Sequence, residues 1–224
     1  MSRSIAVLRP EPGNSATCAR VRDTGRRAMS LPLFEIVALD WVPPDPAGFD
    51  ALILTSANAV RASGPALARY AGLPVYAVGP ATARAAEAAG FAVAVIGTDD
   101  AEALIAAAAA HGVTCALHLG GRETGVVAGG IIAASIAVYA SEATEIAPES
   151  LRALAGTTAL LHSARAAEQL ATLIDRDGID RATIALAAIS PSVAKAAGLG
   201  WRQVVIAPQP TDAALTAAAL VAGD

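Results

Sequence analysis

One pattern limits what this chain can fold into more than any other. Short apolar runs recur along it, most of them four to six residues long: Leu33 to Leu39, Ala51 to Leu54, Val75 to Val78, Val93 to Ile96, Cys115 to Leu119, Ile136 to Tyr139, Ala159 to Leu161, Ile184 to Ile189 and Val204 to Ile206. Most are followed by a small or helix-capping residue and then by an alanine-rich stretch. A run this short and apolar throughout reads as a strand buried on both faces. Such strands alternating with helices predict an α/β protein built on parallel sheets flanked by helices. The first run, Ile5-Ala6-Val7-Leu8, ends at Arg9-Pro10-Glu11-Pro12-Gly13, and Asn14 or Ser15 is placed to cap a helix reaching about Arg27.

The hydropathy of the chain tests that reading. Of 224 residues, 54% are hydrophobic and 16% charged, and the mean hydropathy is +0.51, a value that suggests a membrane protein. Roughly a quarter of the chain is alanine, about three times ordinary usage, and alanine raises hydropathy while burying little area. The charge-free stretch from Thr124 to Ser141 approaches spanning length but contains Gly125, Gly129, Gly130 and Ser135. The stretch from Ala103 to Gly121 is broken by His111-Gly112 and His118. Neither carries a flanking Lys/Arg cluster, and the amino-terminal apolar core is too short for a signal peptide. The expectation is a cytoplasmic chain with no membrane span, whose Cys18 and Cys115 make neither a disulfide framework nor a metal cluster. A net charge of -4, a pI near 5.4 and no basic run argue against nucleic-acid binding.

Three segments repeat in order. Leu54-Thr55-Ser56-Ala57-Asn58 resembles Leu161-His162-Ser163-Ala164-Arg165, at an offset of 107 residues. Ala77-Val78-Gly79-Pro80-Ala81-Thr82 resembles Ala188-Ile189-Ser190-Pro191-Ser192-Val193, and Asp100-Ala101-Glu102-Ala103-Leu104 resembles Thr211-Asp212-Ala213-Ala214-Leu215, both at 111. Alanine-rich helices look alike by composition, but shared order with Ser or Gly-Pro at the turns favours two related halves. Paired halves commonly hold a ligand in the cleft between them.

Each repeated segment reads strand, turn, helix. The turns place free backbone N–H groups of helix starts beside the carboxyl ends of parallel strands, where anions bind. The candidates are Thr55-Ser56-Ala57-Asn58, Gly79-Pro80-Ala81-Thr82, Ser163-Ala164-Arg165 and Ser190-Pro191-Ser192. Each turn alone is explained by helix capping; four in two related halves make a shared anion site competitive. Other chemistry has little support. Leu119-Gly120-Gly121-Arg122 follows a strand but lacks the dinucleotide fingerprint spacing, there is no Walker A sequence or nucleophile elbow, and His111, His118 and His162 have no metal-ligand spacing. Asp99-Asp100 opens a helix, where the dipole favours acids without a catalytic role. No general-base constellation stands out.

Taken together, Val7-Leu8-Arg9-Pro10, Leu31-Pro32-Leu33-Phe34-Glu35-Ile36, Leu54-Thr55-Ser56, Val78-Gly79-Pro80-Ala81-Thr82-Ala83, Val138-Tyr139, the Ser163 turn, Ile189-Ser190-Pro191-Ser192 and Pro210-Thr211 resemble the uroporphyrinogen-III synthase family over nearly the whole chain. Each motif is short; their order and spacing carry the resemblance. It implies two α/β lobes, each a parallel β-sheet flanked by helices, joined by a two-stranded antiparallel linker. Residues 1–30 with 147–224 would form one lobe, 42–136 the other, and 31–41 with 137–146 the linker strands. There are departures: His162-Ser163-Ala164 stands where Thr-Ser-Pro is frequent, Ser190 where Gly is usual, Val193 where a second Thr is common, and Ala81 offers no side-chain donor.

The resemblance further implies a cofactor-independent enzyme of haem biosynthesis, without a metal, that cyclises hydroxymethylbilane. This linear tetrapyrrole carries eight carboxylates and a terminal hydroxymethyl group. Water leaves from ring A, ring D attacks through its substituted carbon to form a spiro intermediate, and the ring closes with ring D inverted. The substrate also closes spontaneously to the wrong isomer, so the enzyme's task is mostly positioning. Substrate contacts would come from Arg9, Thr55, Ser56, Ala57, Gly79, Thr82, Gly121, Arg122, Ser163, Ala164, Arg165, Ser190 and Ser192, through backbone N–H groups, hydroxyl donors and three arginines. Tyr139 matches the linker tyrosine that the family aims at the leaving hydroxyl; a tyrosine packing between lobes is the competing reading. The expected partners are the tetrapyrrole and the upstream bilane-producing enzyme, and the expected state is a monomer. A bilobed protein that binds a small polyanion without chemistry is the alternative.

Overall fold

The computed structural model describes residues 3–98 and 100–222, so Asp99 lies outside the described residues. In chain order, β1 (Ile5–Val7), α1 (Gly13–Asp23), β2 (Ala28–Ser30) and β3 (Phe34–Ala38) come first. Next come β4 (Ala51–Leu54), α2 (Ala57–Ala62), β5 (Val75–Ala77), α3 (Pro80–Ala88), β6 (Val93–Ile96), α4 (Ala101–Ala110) and β7 (Ala116–Gly121). The long β8 (Ile132–Ala143) leads into α5 (Pro148–Arg152), β9 (Thr158–Leu161), α6 (Ala164–Arg176), β10 (Ala185–Ala188), α7 (Pro191–Ala197), β11 (Gln203–Ile206) and α8 (Asp212–Ala222). The chain divides into two compact units, residues 1–35 with 142–224 and residues 36–141. It crosses between them within β3 and returns within β8.

Each unit is a sheet covered on both faces. In the first, the order is β11-β10-β9-β1-β2, all parallel. Because successive strand side chains point to opposite faces, Ile5 and Val7 pack with Cys18 and Val21 of α1 and Leu215 and Ala219 of α8. Ala6 packs on the other face, with Leu170 and Ile174 of α6 and Val193 of α7. In the second unit the order is β3-β8-β7-β4-β5-β6. Leu52, Leu54, Leu117 and Leu119 meet Ala59, Val60, Ala83 and Ala86 of α2 and α3, while Ala51, Ile53 and Ala116 meet Leu104 and Ala108 of α4. Alanine on these helices lets them lie close to the sheets, and it accounts for much of the high hydropathy. Among the described residues no helix is long and apolar enough to cross a membrane. The stretch 103–121 is α4, a turn and β7, and 124–141 is a loop followed by most of β8.

The two sheets share an order. Reading β8-β7-β4-β5-β6 against β2-β1-β9-β10-β11 matches every position, and the repeated turns fall at equivalent strand ends. The last two strands of one unit correspond to the first two of the chain, so the repeat is offset between the units. Strands β3 and β8 pair: Thr144 N–H donates to Leu33 O and Leu39 N–H to Val138 O, both at 2.9 Å, and the partner number falls as the residue number rises, which makes the pair antiparallel.

Two local expectations need correction. Helix α1 ends at Asp23, and neither Asn14 nor Ser15 caps its start; the Glu11 carboxylate accepts from Ser15 N–H at 3.0 Å instead. Asn14 lies inside it, with its amide donating to Val7 O and Arg9 O at 2.9 and 3.0 Å, and Ser15 pairs with Glu11. The carbonyls at the end of β1 and just beyond it need donors, and the Asn14 amide supplies them. Strand β2, Ala-Met-Ser, has no β-branched residue to announce it; its pairing with β1 at the sheet edge makes it a strand.

Candidate functional site

Open parallel sheets bind ligands outside the carboxyl ends of their strands, where the strand order reverses. In the second unit that point lies between β4 and β7. Thr55 follows the last residue of β4, and Ser56 caps α2 by accepting from Asn58 N–H at 3.1 Å. A capping serine uses a lone pair and keeps its proton, so Ser56 can still donate. Ala57 occupies the first helical position, where the N–H has no intrahelical partner. Strand β7 ends in Gly120-Gly121, and two rings explain both glycines. A Cβ at Gly120 would lie 2.5 Å from His118 Cε1, and one at Gly121 would lie 2.8 Å from Tyr139 Cζ. Tyr139, half-buried on β8, is the register partner of Gly121, and its carbonyl accepts from Arg122 N–H at 2.8 Å. Thr55, Gly121, Glu123, Thr124, Tyr139 and Ser141 line a depression of about 280 Å³. A larger depression of about 480 Å³ is walled by Val60 and Arg61 of α2 and by Arg84 and alanines along α3, and takes in none of these groups.

Behind the depression runs a chain of hydrogen bonds. His118 is fully buried. Its Nδ1 lies 2.8 Å from Ser135 Oγ and its Nε2 lies 2.9 Å from Thr55 Oγ1. Ser135 has one hydroxyl proton, and it goes to Val126 O at 2.8 Å. Ser135 therefore accepts from His118 Nδ1–H, which leaves Nε2 bare to accept from Thr55. Burial disfavours the imidazolium and lowers the His118 pKa to about 4, so the ring is neutral near pH 7.

In the first unit the equivalent point lies between β1 and β9. Ser163 caps α6 by accepting from Ala166 N–H at 3.2 Å, with Ala164 and Arg165 exposed beside it. Asp212, the first residue of α8, gathers His162 Nε2 at 2.7 Å, Thr17 Oγ1 at 2.8 Å, Arg9 at 3.6 Å, and Arg20. Burial alone would raise the Asp212 carboxyl; hydrogen bonds from His162 and Thr17 and the Arg20 charge hold it below the usual carboxylate range. His162 is pushed down by burial despite Asp212, so a neutral ring donates through Nε2. One strand along, Ser190 caps α7 and its Oγ lies 2.9 Å from Ser192 Oγ.

The structure thus brings Thr55, Gly121 and Tyr139 into one depression with Ser56 and Ala57 adjoining, and places Gly79 at the neighbouring strand end. In the first unit Arg9, Ser163, Ala164 and Arg165 share one strand-end cluster, with Ser190 and Ser192 beside it. Three residues differ from expectation in what they offer. Thr82 is buried, and its N–H is taken by Gly79 O at 3.1 Å, because the first turn of α3 closes on itself. Arg9 is partnered by Asp212, and the Arg165 guanidinium lies 4.4 Å from the Phe34 ring centroid. His118, Ser135 and Asp212 were not singled out as site residues from the sequence. The one available signal was a histidine inside an otherwise apolar strand, which needs partners for both nitrogens.

These features have relatives. A family model described as Uroporphyrinogen-III synthase HemD matches residues 15–217. The fold is similar to that of uroporphyrinogen-III synthetase from Helicobacter pylori, with TM-score 0.66, 19% identity, and 98% of this chain and 99% of that chain covered. It is also similar to a mutant uroporphyrinogen III synthase from the extremely thermophilic bacterium Thermus thermophilus, with TM-score 0.55, 16% identity, and 99% and 97% covered. No curated protein matches the chain by sequence. With its family match spanning most of its length and its fold shared from end to end, the chain belongs to the uroporphyrinogen-III synthase family.

Proposed function

We propose that this enzyme of tetrapyrrole biosynthesis is a cofactor-independent hydro-lyase that cyclises hydroxymethylbilane to uroporphyrinogen III with inversion of ring D. Loss of the ring A hydroxyl as water leaves an azafulvenium cation, which ring D attacks through its substituted carbon. The protein's work is to hold one folded conformer, since the unguided bilane closes to the type I isomer. Backbone N–H groups and serine hydroxyls at the starts of α2 and α6 bind side-chain carboxylates, with Gly79, Ser190 and Ser192 extending each row. Arg9, Arg122 and Arg165 add positive charge where an acidic chain otherwise repels an octaanion. Tyr139 donates its phenol proton toward the departing hydroxyl.

The observation that carries this reading is the position of Tyr139. It lies across Gly121 beside Thr55 at the switch point of its sheet, in a chain whose family match spans residues 15–217. We further propose that the enzyme works as a cytoplasmic monomer on bilane supplied by the preceding enzyme. Segments 31–41 and 137–146 would connect lobes formed by 1–30 with 147–224 and by 42–136. The deciding experiment supplies freshly generated hydroxymethylbilane, oxidises the products and separates the isomers. Type III enrichment above the spontaneous type I background is expected. Type I alone with tight product binding would instead identify a polyanion-binding protein without chemistry.

A further inference from the structure

The depression beside Tyr139 differs from the other strand ends in the polarity of its Thr55 hydroxyl. Ser56 and Ser163 keep their protons after capping their helices. Thr55 does not, because the Val126–Ser135–His118 chain ends on an imidazole nitrogen that accepts. Thr55 carries one hydroxyl proton and that proton points inward, so the hydroxyl turns only lone pairs toward the depression. Glu123, a carboxylate, lines the same space. A lone-pair acceptor repels a carboxylate and attracts an N–H donor.

We propose that His118 is a positioning residue that locks Thr55 as a hydrogen-bond acceptor, so that this depression receives a pyrrole N–H of the tetrapyrrole and not one of its carboxylates. The inference rests on the tetrapyrrole reading above and refines it. The carboxylates are held by the helix starts, while the Thr55 acceptor fixes the face of one pyrrole next to Tyr139. Strand β7 supplies the lock because its neighbours on either side carry Thr55 and Ser135, and Gly120 leaves room for the ring.

The first test reads the tautomer. Long-range ¹H–¹⁵N spectra of the full chain with ¹⁵N-histidine at pH 7 should show His118 protonated on Nδ1 with a bare, hydrogen-bonded Nε2. Protonation on Nε2 overturns the proposal. The second test compares two octacarboxylates that differ in pyrrole N–H donors, uroporphyrinogen III under anaerobic conditions and its oxidised form, uroporphyrin III. Thr55→Val should weaken the porphyrinogen about tenfold and the porphyrin by less than about threefold, and Thr55→Ser should restore the porphyrinogen. Equal loss on both ligands means a carboxylate contact and overturns the proposal. Wild-type type III formation is measured alongside. An inactive wild type that binds neither ligand overturns the function itself, whereas an active wild type with an Nε2-protonated ring or equal losses overturns only this inference.

Discussion

Acidification should destabilise this protein through His118. The ring is fully buried and holds its pKa near 4, against an ordinary value of 6.5. Because the folded value is the lower one, the unfolded chain takes up the proton first as pH falls. The stabilising difference is complete above the unfolded pKa and is lost progressively between pH 6.5 and about 4. Each pH unit within that window is worth up to about 1.4 kcal/mol, so the loss reaches about 1.4 kcal/mol by roughly pH 5.5 and about 3 kcal/mol by the lower end. His162 is displaced in the same direction, so the total acid response exceeds that of His118 alone. Urea unfolding at pH 7.5, 6.5, 5.5 and 4.5, run in parallel on wild type and His118→Leu, isolates the term. The variant is less stable at pH 7.5, because it leaves Thr55 without its acceptor, but its stability should fall less steeply with acid. Parallel pH slopes for the two proteins, or a His118 imidazole titrating near 6.5 in the native state, would refute the reasoning.

Tyr139→Phe should slow turnover by about 100-fold while changing product affinity less than about threefold, since it removes a proton donor and keeps the ring; full activity would make the phenol structural. Gly121→Ala places a methyl 2.8 Å from Tyr139 Cζ. It should cost about 1–3 kcal/mol in chemical denaturation, and most of that cost should vanish in a Tyr139→Ala background; an unchanged cost would mean that the ring does not constrain the strand end. Ser163→Ala removes the cap on Ala166 N–H. The expected loss is about 1 kcal/mol, read as a fall of about 2–4 °C in Tm, together with a raised KM for the bilane; an unchanged KM would separate the cap from substrate binding.

Much of the architecture was legible because it is local. Short apolar runs such as Ala51–Leu54 and Ala159–Leu161 are buried on both faces, and that demands helices on either side. Ser56, Ser163 and Ser190 announce helix starts because a hydroxyl acceptor two or three residues ahead of an N–H works wherever the chain lies. The errors came where packing against the sheet prevailed over the chain's own helix and capping signals. Asn14 reaches back to β1 where a cap was expected, and β2 exists because β1 offers it a ladder.

The sequence by itself determined that this chain alternates strands and helices, carries related halves, and presents small, hydroxyl-rich turns at strand ends. Strand order came only with the tertiary structure, because it is set by burial over the whole sheet and not by any neighbouring residue. That order makes neighbours of Thr55 and His118, 63 residues apart, of His118 and Ser135, 17 apart, and of His162 and Asp212, 50 apart. Those pairings decide which hydroxyls keep a proton to give, which arginines already have a carboxylate, and why two glycines stand where two rings must pass. The turns could be read in one dimension; the direction of their hydrogen bonds required three.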